Sequence, residues 1–182
     1  MTIAIGDRLP SVDLHEGTPA TKVNLQQLFK GKKGILFGVP GAFTPGCSKQ
    51  HLPSFVKEAT ALGHKGVEMI VCVAVNDAFV MSGWGDAQGV GGKVRMLADP
   101  QGEMAKAMGL VLDNDVVKAN LGNARCKRFV CLVEDGIVRH LAISGGRVRK
   151  VFLDTARSGM YCRNCQVCPY QKNLVREGRH QE

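Results

Sequence analysis

The chain has 182 residues, of which 45% are hydrophobic and 22% charged, a balance that fits one ordinary globular domain and excludes collagenous, low-complexity and disulfide-dense classes. No apolar run approaches the roughly 20 residues of a membrane-spanning helix, and the opening M-T-I-A-I-G-D-R-L-P has no basic segment followed by a long apolar one, so a cytoplasmic chain is expected. The net charge of +8 comes mainly from Arg147 to Glu182, with eight Lys/Arg against three Asp/Glu, and only 5% of the chain is aromatic; neither a nucleic-acid nor a membrane partner is expected.

In chain order, the first strand predicted is Gly34–Val39, a short aliphatic run bounded by turn residues. After the Pro- and Gly-rich loop that follows it, Leu52, Phe55, Val56, Ala59 and Leu62 recur at helical spacing, and Gly63 marks an end. Pro53 falls inside this helix and should kink it, because proline removes a backbone donor and crowds the preceding turn. Glu68–Val75 and Val94–Ala98 read as further strands. Asn76-Asp77 caps a helix over Ala78–Trp84, and Gln101–Gly109 supports another. Phe129–Glu134 and Ile137–Ile143 are strands joined by Asp135-Gly136, a two-residue hairpin signal that makes them antiparallel. Strand, helix, strand units ending in a hairpin predict an α/β fold with a mixed central sheet flanked by helices. The composition shifts at Gly145-Gly146, giving two expected parts: a domain over 1–146 and a basic, Cys-rich tail over 147–182.

The chemistry concentrates in V-P-G-A-F-T-P-G-C-S, from Val39 to Ser48. A thiol is a nucleophile only as thiolate, and a free cysteine is a few per cent ionised at neutral pH. A helix beginning after Thr44-Pro45-Gly46 places the Cys47 sulfur where unsatisfied backbone N–H groups and the helix dipole favour negative charge. Pro40 and Pro45 stiffen the loop, Gly46 permits close backbone approach, and Thr44, three residues before Cys47, can bring its hydroxyl to the sulfur. The competing reading, a cysteine after a strand as a small buried hydrophobe, explains none of these neighbours. T-P-G-C carries Thr44 where a dithiol would need a first cysteine, which counts against a glutaredoxin-like reductase.

The run V-P-G-A-F-T-P-G-C-S-K-Q-H-L-P-S-F resembles the active-site loop of peroxiredoxins of the peroxiredoxin-5 or type II group. The resemblance extends through K-V-N-L-Q-Q-L-F-K-G-K-K-G, V-N-D-A-F-V-M-S-G-W-G, L-A-D-P-Q-G and C-K-R-F-V-C-L-V-E-D-G. It implies a thioredoxin-like fold and a thiol peroxidase acting on hydrogen peroxide, alkyl hydroperoxides and peroxynitrite. Cys47 would be the peroxidatic cysteine, oxidised to sulfenic acid. Thr44 would hydrogen-bond the peroxide, Arg128 would hold the thiolate charged and polarise the O–O bond, and Pro40 would shield the sulfur from water. Backbone N–H groups of Gly46 and Cys47 would add donors for the leaving oxygen. The resemblance further implies thioredoxin, glutaredoxin or glutathione as reductant and a homodimer. No cofactor or metal is required, because sulfur is both nucleophile and redox centre.

The chain departs from the group where a resolving cysteine is concerned. The short C-terminal segment G-L-T-C-S is absent, and Cys162, Cys165 and Cys168 stand in the tail as C-x-x-C-x-x-C. They are the first candidates for resolution; as zinc ligands they fall one short of a closed site, with His180 the local supplement. Cys72, 25 residues after Cys47, is a second candidate, although V-C-V-A-V reads as a buried strand. Cys131 reads as a core thiol, Cys126 is expected at the surface, and His51 is expected in a hydrogen-bonded structural role rather than as a base. The reading from a different class is a noncatalytic thioredoxin-like binding or holdase module, which slow and unselective thiol oxidation by peroxide would favour.

Overall fold

A computed structural model describes residues 1–143 of the protein. Strands β1 (Asp13–Glu16) and β2 (Thr18–Asn24) form a hairpin, and helix α1 (Leu25–Leu28) leads into β3 (Lys33–Val39). A π-helical segment, Cys47–His51, runs directly into α2 (Leu52–Gly63), followed by β4 (Met69–Ala74), α3 (Ala78–Ala87), β5 (Arg95–Ala98) and α4 (Glu103–Ala107). Then come β6 (Val111–Leu112), α5 (Asp115–Leu121), β7 (Arg125–Cys126), β8 (Phe129–Glu134) and β9 (Ile137–Ile143).

Seven strands make one mixed sheet in the order β2-β1-β5-β4-β3-β8-β9, and β6 pairs with β7. Strands β3, β4 and β5 are parallel neighbours, whereas β8 runs antiparallel to β3. This arrangement positions the site. The loop leaving the C-terminal end of β3 emerges beside the residues that enter β8, and Gly38 pairs with Phe129.

The central strands β3, β4, β5 and β8 feed two cores because successive side chains alternate between faces. Ile35, Phe37 and Val39 pack with α2, Cys72, Trp84 and Val130, while Leu36 packs on the other face with Val71, Val73, Phe129 and Cys131. Gly38 is required by close approach: a Cβ there would stand 2.2 Å from Cε1 of Phe129. The Asp135-Gly136 turn has φ of 51° and 73°, as the hairpin signal demands.

The expected kink at Pro53 takes a different form. Leu52 N–H bonds to Cys47 O, so the turn before the proline widens to π pitch, and Pro53 lies in the first turn of α2. The β1–β2 hairpin, α1, α5 and the β6–β7 pair were not signalled by periodicity. Strand β2 is an edge strand that is largely exposed, with Pro19 in it, and α5 buries no residue completely. Neither presents the apolar stripe from which an element is read. The tail over 147–182 lies outside the described residues, with Cys162, Cys165, Cys168 and His180.

Candidate active site

Strand β3 ends at Val39, and the chain turns through Pro40 and Gly41 to Thr44 before the first helical hydrogen bonds form. The Thr44 carbonyl accepts from Cys47 N–H at 3.1 Å and from Ser48 N–H at 2.9 Å. Cys47 therefore sits in the first turn of a helix, as the sequence suggests, but its N–H is engaged with Thr44 and is not a free donor for a leaving oxygen. Pro40 and Gly46 are half-buried on either side of this turn.

Cys47 is completely buried. Arg128, entering β8, donates from Nη2 to its Sγ at 3.1 Å. Arg128 itself is 8% exposed, and its Nη1 is buried with no hydrogen-bond partner among the described residues. A buried guanidinium with one arm on a sulfur and the other unpaired is a donor pair waiting for an anion or a polar oxygen.

The Thr44 hydroxyl does something other than expected. It donates to the Gly41 carbonyl at 2.9 Å, so its proton closes the turn and its lone pairs remain to accept. Ala42 N–H is held by Asn76 Oδ1 at 3.0 Å. Between them Phe43 adopts φ of 60° and is exposed, a conformation a bulky residue rarely takes.

His51 ends the π segment, buried between Phe37 and Phe55, with both ring centroids 5.4 Å away in edge-on geometry. Burial first and the Arg128 charge second pull its imidazole down to about 3, so it is neutral at any physiological pH. Its Nε2 is buried without a hydrogen-bond partner among the described residues, so the expected hydrogen-bonded role is not seen at this nitrogen and the ring is held by edge-on aromatic packing. Ser48, next to Cys47, accepts from the indole N–H of the buried Trp84 at 3.0 Å.

The other thiols divide by burial. Cys72 pairs in register with Phe37 and faces the same core as Cys47, fully buried. Desolvation pushes its thiol well up, with the nearby Cys47 adding to it. Cys131 is pushed up to about 12 by burial and donates to the Leu36 carbonyl at 3.4 Å. Cys126 corrects the expectation of a surface thiol: it is completely buried, under Gly38 and Phe129, and burial raises it strongly. Each of the three is fully buried, and burial disfavours its thiolate.

Asn76 and Arg125 are contributors that the sequence reading passed over. Asn76-Asp77 reads as one cap, yet Asp77 Oδ1 alone caps α3, accepting from Val80 N–H at 2.9 Å, which frees Asn76 for the loop. Two cap-type residues before one helix were the available signal. Arg125 donates from Nη1 to the Val75 carbonyl at 2.8 Å and from Nη2 to the Leu121 carbonyl.

Comparison with known proteins follows the same residues. The Redoxin family profile matches residues 4–152. Peroxiredoxin-2E-2, chloroplastic, of Oryza sativa subsp. japonica is 43% identical over 150 residues, 80% of this chain and 66% of the relative. Peroxiredoxin-2E, chloroplastic, of Arabidopsis thaliana is 42% identical over 149 residues, 80% and 63% respectively. The chain thus spans slightly less than two thirds of the length of these two relatives. Among solved structures, peroxiredoxin 5 from Alvinella pompejana superposes with a TM-score of 0.75 at 36% identity, covering 85% of this chain and 99% of that one. Reduced Prx3 from Vibrio vulnificus in complex with hydrogen peroxide does so with a TM-score of 0.73 at 40% identity, covering 80% and 90%. The fold is accordingly thioredoxin-like. The expected cytoplasmic location is overturned, since both plant relatives named first are chloroplastic proteins.

Proposed function

The chain belongs to the Redoxin family as a peroxiredoxin, and from that premise we propose that it is a thiol-dependent peroxidase with Cys47 as its peroxidatic residue. The observation that carries this reading is the 3.1 Å contact from Arg128 Nη2 to Cys47 Sγ. A guanidinium held against a buried sulfur places positive charge and a hydrogen-bond donor at the atom where the reaction takes place.

In the proposed reaction the thiolate attacks one oxygen of the peroxide. The new S–O bond forms as the O–O bond breaks, sulfur is oxidised to sulfenic acid, and the distal oxygen leaves with the bonding pair and takes a proton to become water or an alcohol. The unpaired Nη1 of Arg128 supplies a preorganised donor for the charge developing on oxygen. Thr44, its own proton directed to Gly41, accepts the O–H of the incoming hydroperoxide and so aligns it. Pro40 and the half-buried turn limit water at the sulfur. With hydrogen peroxide bound in the similar Vibrio vulnificus structure, hydrogen peroxide is the proposed substrate, with alkyl hydroperoxides and peroxynitrite as further ones.

Recycling needs a second thiol. Cys72 is sealed in the core with its proton held, so the reading favours an external reductant, glutathione, glutaredoxin or thioredoxin, over a partner within the described domain; a homodimer is proposed as the working unit. The chloroplastic relatives support a plastid location.

The test is stoichiometric hydrogen peroxide followed by a sulfenic-acid trap and mass mapping. Rapid, single-site trapping at Cys47, and its loss in Cys47→Ser with the fold retained, is the expected result. Slow modification spread over several cysteines would instead favour a noncatalytic module.

A further inference from the structure

The turn before Cys47 is strained, and Arg125 packs against it at Gly41. Phe43 at φ of 60° keeps that conformation only where its surroundings over-determine it. Ala42 N–H on Asn76 Oδ1 and the Thr44 hydroxyl on Gly41 O supply two restraints from either side. The third is steric. A Cβ on Gly41 would lie 3.6 Å from Arg125 Nη1, 3.2 Å from the Thr44 methyl and 3.8 Å from Asn76 Oδ1, so guanidinium, amide and threonine pack around this one glycine. The guanidinium is itself fixed at both arms, by the carbonyls of Val75 after β4 and Leu121 at the end of α5. It is held there even though its Nε is buried with no partner among the described residues. A planar fork that reaches two carbonyls at once is a property of arginine that lysine lacks.

We infer that Arg125 is a positioning residue for peroxide reduction: it clamps the Gly41 to Thr44 turn against β4 and α5, and thereby fixes the direction in which the Thr44 hydroxyl meets the peroxide. The inference rests on the reading of Cys47 as peroxidatic. It assigns Arg125 no contact with the sulfur, which is the task of Arg128, and it separates two arginines three residues apart into chemistry and support.

The experiment is a double-mutant cycle on the full chain, reading the single-turnover rate of Cys47 oxidation by hydrogen peroxide and, in parallel, the iodoacetamide alkylation rate of Cys47. Arg125→Met should lose ~10- to 100-fold in the peroxide rate, the scale of a misplaced reacting group. Alkylation, which needs no Thr44 hydroxyl, should change by less than about twofold. In the Thr44→Val background the Arg125→Met loss should disappear, because the group being positioned is already gone. Arg125→Lys, keeping the charge and one donor, should lose part of the rate, and that loss should also vanish with Thr44→Val; this pair decides the question if Arg125→Met does not fold. Additive losses in the cycle, a wild-type rate in Arg125→Met, or alkylation falling in step with peroxide oxidation would each overturn the inference. Failure of the wild-type Cys47 to react with peroxide would instead strike the peroxidase reading itself.

Discussion

Arg128 and Cys47, 81 residues apart in the chain, meet through a 3.1 Å contact from guanidinium to sulfur. The antiparallel pairing of β8 with β3 brings them together, because the exit of one strand and the entry of the other lie at the same end of the sheet. Replacing Arg128 by Met removes the donor and the charge but keeps most of the apolar stem. The peroxide rate should fall by roughly 10²- to 10³-fold, the cost of deleting one preorganised donor, and iodoacetamide should alkylate Cys47 more slowly at neutral pH. Stability should not fall, because an unpaired buried nitrogen disappears with the guanidinium. Stopped-flow oxidation and urea unfolding check the two halves; an unchanged alkylation rate would show that the contact does not activate the sulfur.

Thr44 has two tasks, closing its own turn on Gly41 and, in the proposed mechanism, accepting from the peroxide. Thr44→Val removes both at nearly constant shape and should slow peroxide oxidation by about 10²-fold. Thr44→Ser keeps the hydroxyl and should retain most of the rate. A large loss in Thr44→Ser with the rate retained in Thr44→Val would assign the effect to the methyl group and its packing on Gly41 rather than to the hydroxyl.

His51 makes stability depend on pH in a definite direction. Its folded value of about 3 lies below its ordinary 6.5, so between those values the unfolded chain binds a proton that the folded chain refuses. The stability associated with the neutral ring is complete above pH 6.5 and is lost as pH falls toward 3, with a slope of up to about 1.4 kcal/mol per pH unit. His51→Phe, which suits the pocket between Phe37 and Phe55, should flatten that slope. Urea midpoints at pH 7, 6 and 5 for both proteins give the comparison, and parallel curves would remove His51 as the cause.

Gly38 lies against the ring of Phe129, which directly follows Arg128 in the chain. Gly38→Ala would place a methyl 2.2 Å from a ring carbon with no exposed space to yield into. Overpacking of this kind costs about 1–3 kcal/mol, and the shift of Phe129 should disturb the Arg128 to Cys47 contact. A lowered melting temperature together with a slower peroxide reaction is expected; destabilisation at full rate would show that the contact tolerates movement of β8.

What the sequence determined by itself is local. The strands at Phe129–Glu134 and Ile137–Ile143, their Asp-Gly turn and the Asp77 cap of α3 follow from short-range backbone rules, and the proline- and glycine-rich loop ahead of Cys47 marks a thiol at a helix start. Motif order carried the family resemblance and, with it, Arg128. The edge hairpin of β1 and β2 and the exposed α5 gave no periodic signal because little of either is buried. Only the tertiary structure decided that Arg128 reaches the sulfur at hydrogen-bond distance, that Arg125 and Asn76 brace the loop, and that Cys126 is interior. Hydrogen-bond partners and burial depend on what the sheet brings alongside a residue from 34 to 81 positions away, and no window of sequence around that residue contains those neighbours.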